Sequence, residues 1–144
     1  MMKIKRLNDL AKIPTRADSG AAGWDLYAAT DYDIKIEPHK TVKIGLGFAT
    51  DFPEGIYAGI YARSGIATKR SLRPENVPGV IDSSYRGEWI VALHNDSDEI
   101  QTVEAGERIA QCIFHMYIVP HIEEVNELSE TERGEGGFGS SGRK

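Results

Sequence analysis

Apolar residues recur at every second position along most of this chain, and that period confines it to half-buried strands. Tyr32, Ile34 and Ile36 alternate with Asp33, Lys35 and Glu37. Val42, Ile44, Leu46 and Phe48 repeat the pattern around Lys43, Gly45 and Gly47. Ile56, Ala58, Ile60 and Ala62 follow, and Trp89, Val91 and Leu93 oppose Ile90, Ala92 and His94. Gly and Pro punctuate these runs at Pro38, Pro53-Glu54-Gly55, Pro74, Pro78-Gly79, Gly87 and Gly106. Many short strands with regular turn signals predict an all-β sandwich or small barrel. One short helix is expected over residues 64–69, with Ser64 as its N-cap. At 144 residues the chain makes one ordinary domain, long enough to bury a core without staples.

The charge balance narrows the partners. A net charge of −5 and a pI near 5.4 argue against a dedicated binder of duplex nucleic acid, yet leave room for a nucleotide site built from a few arginines. The single cysteine, Cys112, lies in the apolar run 109–114 and reads as a small buried hydrophobe. The first residues carry charge with no apolar stretch behind it, and no run approaches the roughly 20 apolar residues of a membrane helix. A cytoplasmic protein is expected, with no membrane contact. His39, His94, His115 and His121 show no metal-ligand spacing and are read as structural or surface residues. Residues 123–133 are acidic and read as a turn or loose connection.

The end has a different composition. Residues 133–144 hold five glycines, one aromatic (Phe138) and two arginines, and cannot bury a core of their own. A Gly/Ser end is ordinarily a disordered tail. A lone Phe among glycines, beside arginine and hydroxyls, suggests an arm that folds over a ligand. The division expected is a folded domain over 1–132 and a flexible arm over 133–144.

Five segments share one pattern: Ala21-Ala22-Gly23-Trp24-Asp25-Leu26-Tyr27-Ala28; Ala62-Arg63-Ser64-Gly65-Ile66-Ala67; residues 76–88, Asn-Val-Pro-Gly-Val-Ile-Asp-Ser-Ser-Tyr-Arg-Gly-Glu; Gly106-Glu107-Arg108-Ile109-Ala110-Gln111; and the glycine-rich end. Together, in order and at matching spacing, they resemble the motifs of the trimeric dUTP pyrophosphatases. The resemblance covers residues 21–142. It implies a jelly-roll-like β-barrel with one short helix, assembled as a homotrimer, that hydrolyses dUTP to dUMP and pyrophosphate with Mg²⁺. Such an activity limits uracil in DNA and supplies dUMP for dTMP synthesis.

The chemistry of each residue suits that resemblance. Arg63, Ser64 and Gly65 stand at a predicted helix start, where a planar cation, a hydroxyl and an open backbone favour phosphate; alone, such a tripeptide is usually a surface turn. Asp82 follows a strand edge, where an Asp commonly forms a turn; the resemblance makes it the base that orients and deprotonates the attacking water. Tyr85 matches the ring that packs on deoxyribose and excludes a 2′-hydroxyl. The backbone of Gly79, Val80 and Ile81 would pair with the uracil edge, with Asn76 helping from the other side. Gln111 would support the phosphates or the water, unless it is a satisfied amide on an inner strand. Asp25 matches the aspartate that holds Mg²⁺ through water, a fitting arrangement for an ion that takes few protein ligands. In the arm, Phe138 would stack on uracil, while Arg133, Gly139 and Ser140 would grip the γ-phosphate.

Two departures stand out. Ala62 occupies a position where many relatives have proline, and residues 69–75 differ from the relatives' histidine-glycine. Rival readings are a dCTP deaminase of the same general fold, a regulator that binds other proteins, and a β-sandwich without chemistry. Asp82, Tyr85 and the arm favour dUTP hydrolysis; a regulatory protein partner remains open as an added role.

Overall fold

The computed structural model of the chain describes residues 1–137; the expectations for Phe138, Gly139 and Ser140 lie outside the described residues. Eleven strands and one helix follow in order: β1 (Lys3–Arg6), β2 (Trp24–Tyr27), β3 (Ile34–Ile36), β4 (Thr41–Gly45), β5 (Phe48–Asp51), β6 (Ile56–Tyr61), α1 (Ser64–Arg70), β7 (Leu72–Pro74), β8 (Gly79–Ile81), β9 (Ile90–Asn95), β10 (Gln101–Val103) and β11 (Arg108–Met116). All pairings are antiparallel. The strands form four small sheets, ordered β2-β11-β6-β8, β4-β9-β7, β1-β5 and β10-β3, rather than one continuous ring of hydrogen bonds. Most run only three to six residues, because a Gly or Pro ends them where the sequence places one.

The period of two is realised as burial. In β9, Val91 and Leu93 point inward while Ile90 is exposed, and Trp89 just before it is buried. Ile44, Leu46 and Phe48 continue the inner face across the β4–β5 corner, and Ala58 and Ile60 supply it from β6. Phe48 and Trp89 meet with ring centroids 5.3 Å apart, and the Trp89 indole N–H donates to Thr50 Oγ1 at 2.9 Å. Cys112 is buried in this core as expected, and burial pushes its thiol up to about 12.

One buried polar residue was not singled out by its sequence. Asn95 is fully enclosed, and its amide uses all its capacity. Nδ2 donates to the carbonyls of Ile36 (3.0 Å) and Glu99 (2.7 Å). Oδ1 accepts from the N–H (2.9 Å) and hydroxyl (2.7 Å) of Ser97. A satisfied amide of this kind ties the end of β9 to β3 at no net desolvation penalty.

Residues 69–75 form the last turn of α1 and strand β7. Ser71 closes the helix at φ 53°, in the left-handed region, and its N–H bonds Ala67 O at 3.1 Å. Arg70 then reaches Glu107 and the Thr102 carbonyl, and Arg73 pairs with Asp96 at 2.6 Å. The departure from the relatives here is therefore absorbed into ordered structure.

After Tyr117, whose N–H bonds Gly55 O at 3.1 Å, the chain leaves the sheets. Residues 117–131 contain no strand or helix and a turn follows at 132–135, so the acidic stretch 123–133 is a connection that ends in a turn. It also carries apolar side chains that its own domain does not cover: Ile118, Val119, Ile122 and Leu128 are each more than three-quarters exposed. Among the described residues no helix is long and apolar enough to cross a membrane.

Candidate active site

The C-terminal end of β6 opens into a cleft of about 450 Å³. Arg63, Ser64 and Gly65 line one wall, Asp25, Arg108 and Gln111 another, and residues 21–23 complete it. Antiparallel pairing explains the grouping. Gln111 stands opposite both Asp25 on β2 and Tyr61 on β6, so three segments distant in sequence meet at one level of the sheet.

The helix start differs from the expectation in one detail. Arg63, not Ser64, occupies the N-cap position, with extended backbone angles and no side-chain cap. Its carbonyl accepts the first helical bond from Ala67 N at 3.0 Å. Its side chain, a donor that cannot cap backbone N–H groups, pairs with Asp25, where Nε donates to Oδ1 at 2.8 Å. Ser64 thus becomes the first helical residue and lines the cleft instead of capping the helix. A Cβ on Gly65 would meet nothing within 4 Å, so packing inside the chain does not demand glycine there. With seven residues, α1 has a weak dipole; the guanidinium groups supply the positive charge.

Gln111 faces this cleft, half-buried. Its Nε2 donates to Ala62 O at 2.8 Å, which fixes the carboxamide against the residue preceding Arg63. Its Oε1 lies where a Cβ of residue 23 would stand, 2.3 Å away, so a glycine at 23 is what admits the side chain.

Asp25 is the most enclosed charge of the cleft, its side chain 15% exposed. Both of its oxygens are engaged: Arg63 takes Oδ1 and Arg108 Nη1 takes Oδ2 at 2.9 Å. Arg63 Nη1 also reaches Arg108 O at 3.2 Å. Arg108 was not assigned a role from its sequence. Two adjacent apolar residues, Ile109 and Ala110, interrupt the alternation of β11, and that interruption is the signal that could have found it.

A second, smaller hollow of about 160 Å³ lies on the hairpin after β8, lined by Val80, Ile81, Asp82, Tyr85, Glu88 and Ile90. Asp82 O accepts from Tyr85 N at 3.1 Å, closing the turn that carries both side chains. The Tyr85 hydroxyl donates to Glu88 O at 3.0 Å, and Glu88 Oε1 in turn accepts the Gly47 N–H at 2.8 Å. Glu88 thereby pins the hairpin to the β4–β5 corner. Asn76 stands beside Gly79 at the start of β8, its amide nitrogen 3.4 Å from where a Cβ of residue 79 would be.

The two hollows are far apart on one chain. Ile81 pairs with Ala58 and Gly79 with Ile60, so Asp82 lies level with Tyr57, at the start of β6. Arg63 follows the other end of that strand. At roughly 3.3 Å per residue, the two are separated by about 20 Å along the sheet. Arg133, in the turn at 132–135, bonds Gly136 O at 2.8 Å and contributes to neither hollow.

Fold and site together define a mostly β protein with a cleft lined by two arginines and a separate carboxylate-bearing hairpin. The chain belongs to the dUTPase family: that family's model matches residues 9–142. It is 43% identical over 141 residues to the deoxyuridine 5'-triphosphate nucleotidohydrolase of Hydrogenobaculum sp. (strain Y04AAS1), covering 98% of this chain and 97% of the relative. It is 44% identical over 140 residues to the Arabidopsis thaliana protein of the same description, covering 97% of this chain and 82% of the relative. Among solved structures, a Staphylococcus bacteriophage 80alpha dUTPase variant with dUpNHpp superposes with a TM-score of 0.89 at 29% identity, covering 99% of this chain and 98% of that one.

Proposed function

We propose that this protein hydrolyses dUTP to dUMP and pyrophosphate at a site completed by more than one copy of the chain. The observation that carries the reading is the pairing of an Arg63/Ser64/Gly65 cleft with an Asp82/Tyr85 hairpin in a member of the dUTPase family.

Phosphoryl transfer to water needs positioning and charge neutralisation more than covalent help. Arg63 and the Ser64 hydroxyl bind the phosphate chain, and Gly65 lets it approach the backbone. Gln111, fixed by Ala62, orients a phosphate oxygen or the water with its Oε1. Asp82 accepts a hydrogen bond from the water and takes its proton as the oxygen attacks the α-phosphorus; pyrophosphate leaves into the arginine cleft. The backbone of Gly79, Val80 and Ile81, with Asn76, reads uracil, and the Tyr85 ring packs on deoxyribose.

Mg²⁺ fits the donor set. Among the described residues no group of three or more His, Cys, Asp or Glu gathers. Asp25 is the one carboxylate of the cleft among those residues; with both oxygens held by Arg63 and Arg108, it would reach the ion through water, which suits an ion held chiefly by water and substrate phosphates. Bound there, it would neutralise charge on the polyphosphate.

A homotrimer is part of the reading. A triphosphate cannot span the roughly 20 Å between Asp82 and Arg63 on one chain, so a second copy must supply one of them. The uncovered Ile118, Val119, Ile122 and Leu128 support the same conclusion, since a run of exposed apolar side chains marks an interaction surface. The arm beyond residue 132 (Arg133, Phe138, Gly139 and Ser140) would close over the nucleotide from a third copy.

Turnover measured with dUTP, dCTP, dTTP and UTP tests the reading. Release of dUMP and pyrophosphate from dUTP alone is expected. Ammonia from dCTP, or no turnover of any of the four, would overturn it.

A further inference from the structure

We propose that Arg108 is a positioning residue that holds Asp25 so that Arg63 can be released to the polyphosphate; this rests on the dUTP reading of the cleft. The starting point is a β-bulge. Arg108 pairs with Tyr27 and Ala110 with Leu26, so Ile109 is an extra residue in β11. Ile109 and Ala110 are both fully buried, meaning two successive side chains point inward. A regular strand would have put Arg108 on the core face. The bulge turns it to the face of Gln111 and Asp25, which is what bulges beside functional sites do. The turn before it is fixed as well: Ala28 N bonds Glu107 O at 2.9 Å, and Glu107 Oε2 accepts from Glu104 N at 2.9 Å.

The charge count gives the bulge a purpose. Asp25 lies deep between two guanidinium groups, one on each oxygen. With both arginines the cleft keeps one net positive charge. Without Arg108, Asp25 and Arg63 would neutralise each other, and an arriving polyphosphate would have to break that pair unaided. Because Arg108 holds Oδ2 independently, Arg63 can leave Oδ1 for a phosphate without stranding a half-buried carboxylate, a loss that would otherwise be severe. Arg63–Asp25 is thus the exchangeable pair and Arg108–Asp25 the fixed one.

The test is binding of the imidodiphosphate analogue of dUTP, and separately of dUMP, to the full-length protein in Mg²⁺-free buffer. Arg108→Gln should weaken the analogue by about tenfold or more, the worth of a charge-assisted contact, while dUMP affinity and melting temperature hold. Adding Asp25→Asn to Arg108→Gln restores the net charge and frees Arg63, so analogue binding should recover. Arg108→Lys, which keeps the charge, should retain most of it. A simple structural role for Arg108 predicts no recovery in the double variant. Wild-type affinity in Arg108→Gln, parallel loss of dUMP and analogue, or a double variant no better than the single would each overturn the proposal. Failure of the unmodified protein to bind the analogue would instead overturn the dUTP reading itself.

Discussion

The ring of Tyr85 lies over Gly87 so closely that a Cβ at position 87 would stand 2.4 Å from its hydroxyl oxygen and 2.5 Å from Cζ. The hydroxyl bond to Glu88 O holds the ring there. Glycine at 87 therefore determines where the ring sits, and Tyr85→Ala and Gly87→Ala should act alike. Both should lower the preference for dUTP over UTP, by about tenfold to a hundredfold for a contact that excludes one hydroxyl. Competition kinetics with the two nucleotides measure it. An unchanged ratio in both variants would mean that the sugar is read elsewhere.

Asp82→Asn removes the proton acceptor but keeps the turn, since the Tyr85 N–H bonds the main-chain oxygen of residue 82. Turnover should fall on the order of 10²–10⁴-fold while the dUTP analogue still binds. Single-turnover kinetics beside calorimetry separate the two effects. Full activity in this variant would remove Asp82 from the chemistry.

Cys112 gives a pH prediction. Burial raises its thiol from 9.0 to about 12 in the folded chain. The unfolded chain ionises first as pH rises, so the contribution is fully present below pH 9 and is lost between pH 9 and about 12. Alkylation of the folded protein at pH 8 should be far slower than of the denatured chain. In Cys112→Ala, which lacks the ionising group, the fall in urea stability above pH 9 should be shallower. Rapid alkylation of the native protein at pH 8 would contradict the enclosed site.

Truncation after Glu132 removes Arg133 and all that follows. No described residue after Glu132 lines either hollow, and a glycine-rich end buries no core of its own, so the melting temperature should stay nearly constant. If the segment closes over the nucleotide, turnover should drop by orders of magnitude. Binding of dUMP should suffer less than binding of the triphosphate analogue, because Arg133 is assigned to the γ-phosphate. Intact turnover in the truncated protein would leave the segment a plain tail.

Much of this was legible in the residues because period-two burial is a local rule. Trp89, Val91 and Leu93 are buried where their spacing puts them. The residues proposed for phosphate, Arg63, Ser64, Gly65 and Gln111, share one cleft. What stayed hidden depended on pairing between distant segments. The adjacent apolar pair Ile109 and Ala110 hints at a break in alternation, but which residue is the extra one, and that Arg108 thereby faces Asp25, follows only from the register of β11 on β2. The engagement of both Asp25 oxygens by arginines is a consequence of that same register. The start of the helix one residue earlier than expected, with Arg63 rather than Ser64 at the cap, is a backbone detail that a hydroxyl at position 64 does not fix. The exposure of Ile118, Val119, Ile122 and Leu128 was also unread: their spacing says that they are apolar, not whether their own domain covers them.

The account centres on a site split between copies, and subunit mixing tests it most directly. Arg63→Ala and Asp82→Asn each disable one half, so each protein alone should be nearly inactive. After the two are unfolded, mixed in equal amounts and refolded together, a shared site combines the intact Arg63 of one chain with the intact Asp82 of another. Random assembly should then restore about a quarter of the wild-type sites, as expected for interfaces that repeat around a closed ring. If each chain carried its own complete site, every site in the mixture would still hold one defect. Recovery of about a quarter of wild-type dUTP turnover is the predicted result, and no recovery above the two separate variants would contradict the account.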